Sequence, residues 1–335
     1  MSPLYAQKID TFYGPIQVEE PILLELIDHP VFQRLKFIHQ YGVAYYTTFR
    51  EEFTRYDHSL GVLAILRTKG SSLQEQIAGL LHDVSHTAFS HVGDWIFGKQ
   101  NQEKDYQSSI HSEFLKQSGL EEILKKYDLT ADEILPEGDF FPALKCPLPN
   151  LCADRIDYNI QGAFHQGFIT YEEAQTIFQD LEFTNNIWTA TCKEPLKKLT
   201  LFSLFMTARC WGDPTNYLSS LWLAEAILRG VELGDISYQE IHFGTDQAIW
   251  DKLIHHQDPF IQKKMSRLSQ TDAHYSIVLP SEADFTVKCK FRGVDPWILQ
   301  DGKLARITSL DPDLFEEYEK VKSLVERGWP IKVRL

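Results

Sequence analysis

Histidine and aspartate are concentrated in one stretch of the chain. Five of the 12 histidines fall between residues 58 and 111: His58, His82, His86, His91 and His111. His82 and Asp83 directly follow the apolar residues 78–81, and burying such a pair is costly unless something compensates its polarity. A divalent cation would do so, because imidazole nitrogens and carboxylate oxygens are both good ligands for Mn, Fe, Ni or Zn.

A metal bound by these residues needs ligands from several elements. Neighbouring residues on a helix diverge by about 100°, so His82 and Asp83 can share an ion only across a helix edge. His58 in TRYDHSLG and Asp154 in CADRIDY are the natural partners, each on its own predicted helix. Two imidazoles and two carboxylates leave positions for water and a phosphate oxygen, as a catalytic site requires. The sequence therefore predicts a site for Mn, Fe, Ni or Zn, with Mg as an alternative.

The competing interpretation is that these histidines are ordinary core residues. A single His-Asp dipeptide is a weak signal, and a buried histidine more often forms a hydrogen bond than binds a metal. The other seven histidines are interpreted in that way or as surface residues: His29, His39, His165, His242, His255, His256 and His274. The joint pattern of four ligand-type residues in similar surroundings favours the metal site.

The elements that must position these residues are predicted to be helices. Pro21 fits the first turn of one helix, and a second helix is expected after Asp57 and before Gly70. A third helix is expected over residues 76–84. The prolines of residues 136–149 predict a loop, after which Asn150 would cap a helix over residues 151–161.

The second half of the chain changes character near residue 275. Helices are predicted over residues 196–211 and 215–231, separated by Gly212, Asp213 and Pro214, and a later one over residues 311–327. Strands are predicted at residues 274–279, 284–291 and 331–335. We therefore expect a mainly α protein with a helical domain over residues 1–274, its core at about 20–235, and a small α+β subdomain over residues 275–335.

Composition restricts the partners and the compartment. The formal net charge of −14 disfavours binding to bulk nucleic acid. The N-terminus lacks an apolar core of signal-peptide length, and no long apolar run predicts a membrane span. The five cysteines show no CxxC spacing, which fits a reducing compartment. We expect a cytoplasmic protein that acts on a small molecule.

The chain resembles a known family over residues 7–98 and again at His111 and CADRIDYNIQ. The strings KIDTFYGPI, IDHPVFQRLKFIHQYGVAYY, TRYDHSLGV and IAGLLHDVSHTAFSHVGDWIF resemble the HD-domain phosphohydrolases, in particular deoxynucleoside triphosphate (dNTP) triphosphohydrolases, including the type that joins a SAM domain to an HD domain. The resemblance implies an HD-domain helical bundle, the same four metal ligands, and hydrolysis of a dNTP to a deoxynucleoside and triphosphate. It also implies a homo-oligomer.

The resemblance places further catalytic residues at His86, His91, Asp94 and His111. His86 follows His82 by one turn if the helix continues there, and Asp94 is close enough in sequence to orient His91. A capping or core role is the alternative for His91. Implied substrate-binding residues are Gln40, Arg55, Arg155, Tyr158, Arg209 and Tyr217. Alternatives are a salt bridge to Asp157 for Arg155, core packing for Tyr158 and an exposed helix end for Gln40.

One departure from the family concerns sugar recognition. The family has an aspartate that contacts the 3′-hydroxyl where this chain has Gly162. Other substrates therefore stay open: a nucleoside monophosphate, a ribonucleotide or a signalling nucleotide. A non-catalytic nucleotide-sensing module is a further alternative. For that role Asp28, Gln33 and Lys36 occupy places that bind a regulatory nucleotide in some relatives, or else form a solvated helix face.

Overall fold

Helices dominate the part of the chain that the computed structural model describes, which is residues 6–98, 105–136 and 140–334. The helices are α1 (Pro21–Asp28), α2 (Pro30–Gln33), α3 (Val43–Thr47), α4 (Arg55–Thr68), α5 (Leu73–Leu81), α6 (Val92–Ile96), α7 (Tyr106–Gln117), α8 (Leu120–Lys126), α9 (Ala153–His165), α10 (Tyr171–Asp180), α11 (Lys193–Met206), α12 (Pro214–Leu233), α13 (Tyr238–Phe243), α14 (Asp246–Ile254), α15 (Pro259–Leu268) and α16 (Pro312–Arg327). None of them combines the length and apolar character that crossing a lipid bilayer requires.

Short strands in the described residues form three small sheets. The strands are β1 (Gln7–Ile9), β2 (Ile16–Val18), β3 (Glu182–Thr184), β4 (Ile187–Ala190), β5 (Tyr275–Ile277), β6 (Phe285–Val287), β7 (Trp297–Gln300), β8 (Lys303–Arg306) and β9 (Trp329–Val333). The sheet orders are β1-β2, β3-β4-β7-β8 and β5-β9-β6, and all pairs are antiparallel except β4 with β7. The expectation of a mainly α fold with a small α+β element is confirmed.

Helix α4 carries His58 and begins earlier than predicted. Thr54 is its N-cap: the Thr54 hydroxyl accepts a hydrogen bond from the Asp57 amide at 3.2 Å, and the Asp57 carboxylate accepts one from the Thr54 amide at 3.0 Å. This reciprocal pair satisfies two backbone donors that a helix start leaves unpaired. Asp57 is therefore the third helical residue, and the prediction of a start after Asp57 was wrong.

Helix α5 lies three residues before its predicted range of 76–84 at both ends. Ser72 caps it by accepting a hydrogen bond from the Glu75 amide at 3.2 Å, and the helix ends at Leu81, so His82 is its C-cap. The backbone then turns away, and Phe89 and Ser90 have φ values of 58° and 55°. The helix therefore does not continue to His86, so the condition for placing His86 one helical turn after His82 is not met.

Helix α9 carries Asp154, and its predicted cap was also wrong. The N-cap is Cys152. The Asn150 side chain instead accepts a hydrogen bond from the Arg306 guanidinium at 2.7 Å, and its carbonyl accepts one from Arg155 at 2.9 Å. Asn150 therefore belongs to the loop before α9 and does not cap the helix.

The restart of the helix near Pro214 is confirmed. Helix α11 continues into a π-helical turn at Thr207–Trp211. Asp213 then caps α12 by accepting a hydrogen bond from the Thr215 amide at 2.7 Å, with Pro214 as the first helical residue.

In the C-terminal part, α16 is confirmed and the strands are shorter than predicted or begin earlier. β5 and β6 are only three residues long, and β9 begins at Trp329. The pair β7–β8 was not predicted. Because β7 pairs with β4 from the earlier part of the chain, a sheet joins the two sides of residue 275, and the domain boundary there stays a prediction.

The buried apolar residues form two clusters, and the segment after α5 runs from one to the other. Leu80, Leu81 and Val84 belong to the cluster around α4, α5 and α9. Phe89 and Val92 belong to the cluster around α12. Residues 82–91 are therefore anchored in both clusters.

Removing the Thr54 cap should weaken the fold measurably. We expect Thr54→Ala to lower the free energy of unfolding by about 1 kcal/mol, because two amides at the start of α4 lose their partners. Urea denaturation followed by circular dichroism measures this change. Thr170→Ala removes the same kind of capping box from α10 and is the matched control. An unchanged midpoint for Thr54→Ala alongside a lowered one for Thr170→Ala would contradict the assignment.

Candidate active site

Two imidazole nitrogens converge where α4 meets the end of α5. The Nε2 atoms of His58 and His82 lie 3.1 Å apart in the protein interior. The Nδ1 atoms of His58 and His82 are hydrogen-bonded to the Asp157 carboxylate at 2.6 Å and to the Gly79 carbonyl at 2.7 Å. Because those oxygens accept, each ring in the neutral form that metal binding requires would carry its proton on Nδ1, and both Nε2 lone pairs would then face one point. This arrangement is typical of histidines that bind a metal.

Two carboxylates border the same point. An oxygen of Asp154, in the first turn of α9, lies 3.3 Å from Nε2 of His58 and 3.7 Å from Nε2 of His82. The donor atoms of these three residues all lie within 4.8 Å of one another. Asp83 is adjacent, with carboxylate oxygens 3.6 Å and 3.5 Å from the same two nitrogens, and it also pairs with the buried Arg55 guanidinium. The four predicted ligands therefore lie together.

The electrostatics of this cluster suit a cation. Burial alone would raise the pKa of Asp154, but hydrogen bonds with His58 and His82 hold that pKa well below its usual value. Burial also opposes a charged His58, yet its bonds to Asp154 and Asp157 raise the pKa of His58 to about 10. Buried ionised carboxylates thus attract positive charge to the point between the imidazoles. Two nitrogen and two oxygen donors fit a divalent transition metal.

A second group of titratable residues lies beside the cluster. Nε2 of His86 is 3.4 Å from an Asp83 oxygen, and burial together with the Arg55 charge lowers the pKa of His86 to about 4. His91 is half exposed, and its Nδ1 lies 3.4 Å from the Asp94 carboxylate. The rings of His86 and His91 are 5.0 Å apart, edge to face. His86 and His91 thus meet although no helix connects them.

These residues open into a cavity of about 280 Å³, near the lower end of the range of roughly 300–1,000 Å³ for small-molecule sites. The predicted residues that line it are Gln40, Arg55, His82, Asp83, His86, His91, Asp94, Asp154, Tyr158 and Tyr217. The edge of Trp95 packs against Tyr217 with ring centroids 4.5 Å apart, and Tyr158 and Trp211 pack similarly at 5.4 Å. One side of the cavity therefore offers aromatic surface.

Four predicted site residues do not line the cavity: His58, whose Nε2 atom lies behind it beside His82, and Arg155, Arg209 and His111. Arg155 instead donates to the Asn150 carbonyl and lies 3.5 Å from Cys146 Sγ. Arg209 lies in the π-helical turn, outside the lining. His111 is buried behind the wall, where its Nδ1 lies 2.7 Å from the Ser85 hydroxyl, and burial with the His82 charge lowers its pKa to about 3.

Arg55 has a different set of partners from the expected phosphate. Besides Asp83, its guanidinium donates to the Ser90 hydroxyl at 2.7 Å and to the Gln40 carbonyl at 3.5 Å. Its side chain is buried. The contacts within the chain thus make Arg55 a support for Asp83 at the cavity wall.

Several functional positions were missed from the sequence. Asp157 orients His58, and the repeat of aspartate in DRIDY was the available signal. The cavity is also lined by four basic residues, Lys145, Lys288, Lys290 and Arg292. The last three alternate in KCKFR, a spacing that places side chains on one side of an extended segment. Their charge contrasts with the acidic chain as a whole.

The departure at Gly162 has a steric reason. A Cβ added there would lie 2.7 Å from the Tyr41 hydroxyl and 2.9 Å from the Phe202 ring. Gly162 is outside the cavity lining, whereas Tyr41 is part of it. An aspartate at position 162 would therefore displace Tyr41 or Phe202, so the family's sugar contact is absent at this place.

Comparison with known proteins agrees with this architecture. The family profile described as "HD domain" matches residues 55–158. The chain is 30% identical over 325 residues to the uncharacterised Bacillus subtilis protein YdhJ, which covers 97% of this chain and 98% of that protein. It is 29% identical over 317 residues to the metal-dependent phosphohydrolase cns2 of Cordyceps militaris, covering 93% and 85%.

Other matches are partial or distant. The mouse deoxynucleoside triphosphate triphosphohydrolase SAMHD1 is 34% identical over 145 residues, covering 37% of this chain and 22% of the mouse protein. A crystal structure of a hypothetical protein from Aquifex aeolicus superimposes with a TM-score of 0.66 at 19% identity, covering 95% of this chain and 99% of the other, which shows a shared fold.

The fold and the clustered histidines and aspartates define a metal-dependent phosphohydrolase. The chain belongs to the HD-domain superfamily.

Removing the support of His58 should weaken metal binding. We expect Asp157→Asn to reduce affinity for Mn²⁺ by about 10- to 100-fold, because a neutral amide with one acceptor oxygen replaces the carboxylate that fixes the tautomer and orientation of His58 and also accepts from Gln161. Isothermal titration of the metal-free protein with Mn²⁺ measures this loss. Asp94→Asn makes the same change at the cavity but away from the imidazole pair. Equal affinities for both variants would refute the role of Asp157.

Proposed function

We propose that the chain hydrolyses a deoxynucleoside triphosphate to a deoxynucleoside and triphosphate. The observation that carries this proposal is the row of basic side chains that faces the cavity beside the histidine–aspartate cluster. Within the described ranges, Lys145, Lys288 and Arg292 form no ion pair with a carboxylate, so their charges are available for phosphate oxygens. The partial similarity to SAMHD1 supports the same substrate class.

In this proposal His58, His82, Asp83 and Asp154 hold the divalent metal. When bound, such a metal polarises the phosphoryl group and makes water a nucleophile at neutral pH. Asp157 and the Gly79 carbonyl keep the two imidazoles aimed at the ion. Arg55 holds Asp83 in place from the opposite side.

Proton transfer is assigned to the histidines at the open side. His91 with Asp94 can supply a proton to the leaving oxygen, because His91 is half exposed and its second ring nitrogen is left for substrate. His86 has a lowered pKa and is therefore neutral near pH 7, so it can donate one hydrogen bond without adding charge. His111 is assigned a role from behind the wall: it is linked to the cavity through the Ser85 hydroxyl, which accepts a hydrogen bond from the lining residue Gln107 at 2.9 Å.

The rest of the nucleotide is assigned to the far side of the cavity. Lys145, Lys288 and Arg292 would neutralise the phosphates, and the aromatic surface of Trp95 and Tyr217 would pack against the base or sugar. Tyr158, Trp211 and Gln40 complete the wall. Arg155 and Arg209 could bind substrate only after leaving their present positions.

Turnover of dNTPs tests the substrate class. We expect a panel of the four dNTPs to yield deoxynucleoside and inorganic triphosphate when the protein is loaded with Mn²⁺, Fe²⁺, Ni²⁺ or Mg²⁺. Chromatography of the products measures both species. The double variant His82→Ala, Asp83→Ala should be inactive because it removes two of the four donors. Absence of turnover with every metal would refute the substrate assignment.

A second candidate is hydrolysis of a nucleoside monophosphate. Three observations favour this second candidate. The cavity is small, a side chain at Gly162 is sterically excluded, and the similar protein that matches over 93% of this chain is named only as a metal-dependent phosphohydrolase. The products separate the two reactions: inorganic triphosphate requires attack at the α-phosphorus of a triphosphate, whereas orthophosphate shows cleavage of a monoester.

The basic row should matter only for polyphosphates. We expect Lys288→Gln with Arg292→Gln to lower kcat/KM for a dNTP by about 100-fold, since each lost charge-assisted contact is worth about 1.5–3 kcal/mol. Activity toward the corresponding monophosphate should change far less. Lys303→Gln on β8, which does not line the cavity, is the control. Parallel losses for both substrates would contradict a role in binding the outer phosphates.

The alternative of a nucleotide-sensing module rests on Asp28, Gln33 and Lys36. Gln33 donates to the Ile27 carbonyl at 2.6 Å, and the Lys36 ammonium lies 4.6 Å from the Tyr56 ring centroid. These contacts within the chain fit a helix face. We also propose, by analogy with relatives, a homo-oligomer that works in the cytoplasm on small nucleotides and not on bulk nucleic acid.

A further inference from the structure

The segment that carries His86 and His91 has an unusual backbone. Phe89 and Ser90 are consecutive residues other than glycine with φ values of 58° and 55°. Such conformations are energetically unfavourable for residues with a side chain and persist only where the surroundings enforce them. They lie between the two histidines, so whatever enforces them also sets the distance between those rings.

One enforcing group is Asp246, the first residue of α14. Its side chain is fully buried, and its two oxygens accept hydrogen bonds from the Phe89 amide at 2.6 Å and the His39 amide at 2.9 Å. The Ser90 hydroxyl in turn donates to the His39 carbonyl at 2.8 Å. The carboxylate therefore ties the left-handed turn to the segment that follows α2. Burial raises the pKa of Asp246 to about 6, so an ionised carboxylate at this buried position costs free energy.

A second enforcing group is Arg34. Its buried guanidinium donates to the carbonyls of Val84 at 3.2 Å and His86 at 2.5 Å, and to the Gly244 carbonyl at 3.0 Å. In addition, the Ala88 amide donates to the Ile241 carbonyl at 2.9 Å. The residues before and after His86 are thus both attached to the chain near residues 241–246, which lies outside the matched HD segment.

Neither Arg34 nor Asp246 lines the cavity, so they act on the reaction through the backbone that they hold. That backbone is residues 84–90 for both, and for Asp246 also His39. We propose that Arg34 and Asp246 are positioning residues that form a clamp on this segment and hold His86 and His91 at their working distance from the metal centre. The clamp rests on the proposed function only for the assignment of those histidines to catalysis.

The variant Asp246→Asn tests the clamp. An asparagine has one acceptor oxygen, so its amide group would face a backbone N–H and one of the two tethers would break. We expect kcat to fall by at least about tenfold, as displacements of about 1 Å can cost up to a hundredfold, while KM and bound metal per chain stay within about twofold. Asp180→Asn is the matched control, because Asp180 also accepts from two backbone amides, those of Thr191 and Cys192, and α10 does not line the cavity.

Hydrogen–deuterium exchange provides a readout that does not depend on the substrate. Amides of residues 84–91 should exchange faster in Asp246→Asn than in the wild type, and those around the metal ligand His58 should not. Arg34→Lys, which keeps the charge but cannot reach three carbonyls, should show a smaller change of the same kind and serves if Asp246→Asn does not fold.

These measurements distinguish a failure of the clamp from a failure of the proposed function. Faster exchange confined to residues 84–91 in a protein that turns over no nucleotide would refute the proposed function and leave the clamp intact. Unchanged exchange, or a fall in kcat no larger than that of Asp180→Asn, would overturn the clamp. Loss of metal together with kcat would also overturn it, because the defect would then lie at the metal centre.

Discussion

The constraint around which this protein is organised is the approach of two imidazole Nε2 atoms to 3.1 Å. They lie beside the buried carboxylate of Asp83 and the partly buried carboxylate of Asp154. His58 and His82 cannot turn away, because their other ring nitrogens are bonded to Asp157 and to the Gly79 carbonyl. His58, His82 and Asp154 come from α4, the end of α5 and α9, so these three helices must pack at fixed distances from one another. Gly61 permits that closeness, since a Cβ there would lie 1.9 Å from an Asp157 oxygen.

The segment of His86 and His91 is held differently from the cluster of His58 and His82. His82 and Asp83 lie at the end of a helix, whereas His86 and His91 lie on turns whose local hydrogen bonds, such as those from the His86 amide to Asp83 and from the Ser90 amide to Thr87, do not continue into a helix. Polar side chains from before α4 and from α14 add long-range hydrogen bonds to these turns. The segment that matches the HD-domain profile, residues 55–158, is thus hydrogen-bonded to Arg34 and Asp246, which both lie outside it.

Much of the helical framework could be predicted because apolar periodicity and the restart at Pro214 are local signals. The predictions of where the helices begin were less accurate. Thr54 and Ser72 were overlooked as caps, and Asn150 was chosen where Cys152 is the N-cap. Several candidates compete for each cap, and their tertiary partners decide among them, as Arg306 does for Asn150. The strands β3, β4, β7 and β8 are three or four residues long, and pairing between distant segments creates them.

The sequence alone determined the class of chemistry, because ligand types are a property of the side chains themselves. His58, His82, Asp83 and Asp154 were singled out before any geometry was known, and the fold brings them together. Only the tertiary structure decided which polar groups face the substrate. Arg55 is hydrogen-bonded to Asp83 and Ser90, and Arg155 to the loop before α9. Lys288 and Arg292 line the cavity from the irregular segment between β6 and β7, far away in sequence. A charged side chain takes the partner that the fold places within reach, and that partner is rarely a neighbour in sequence.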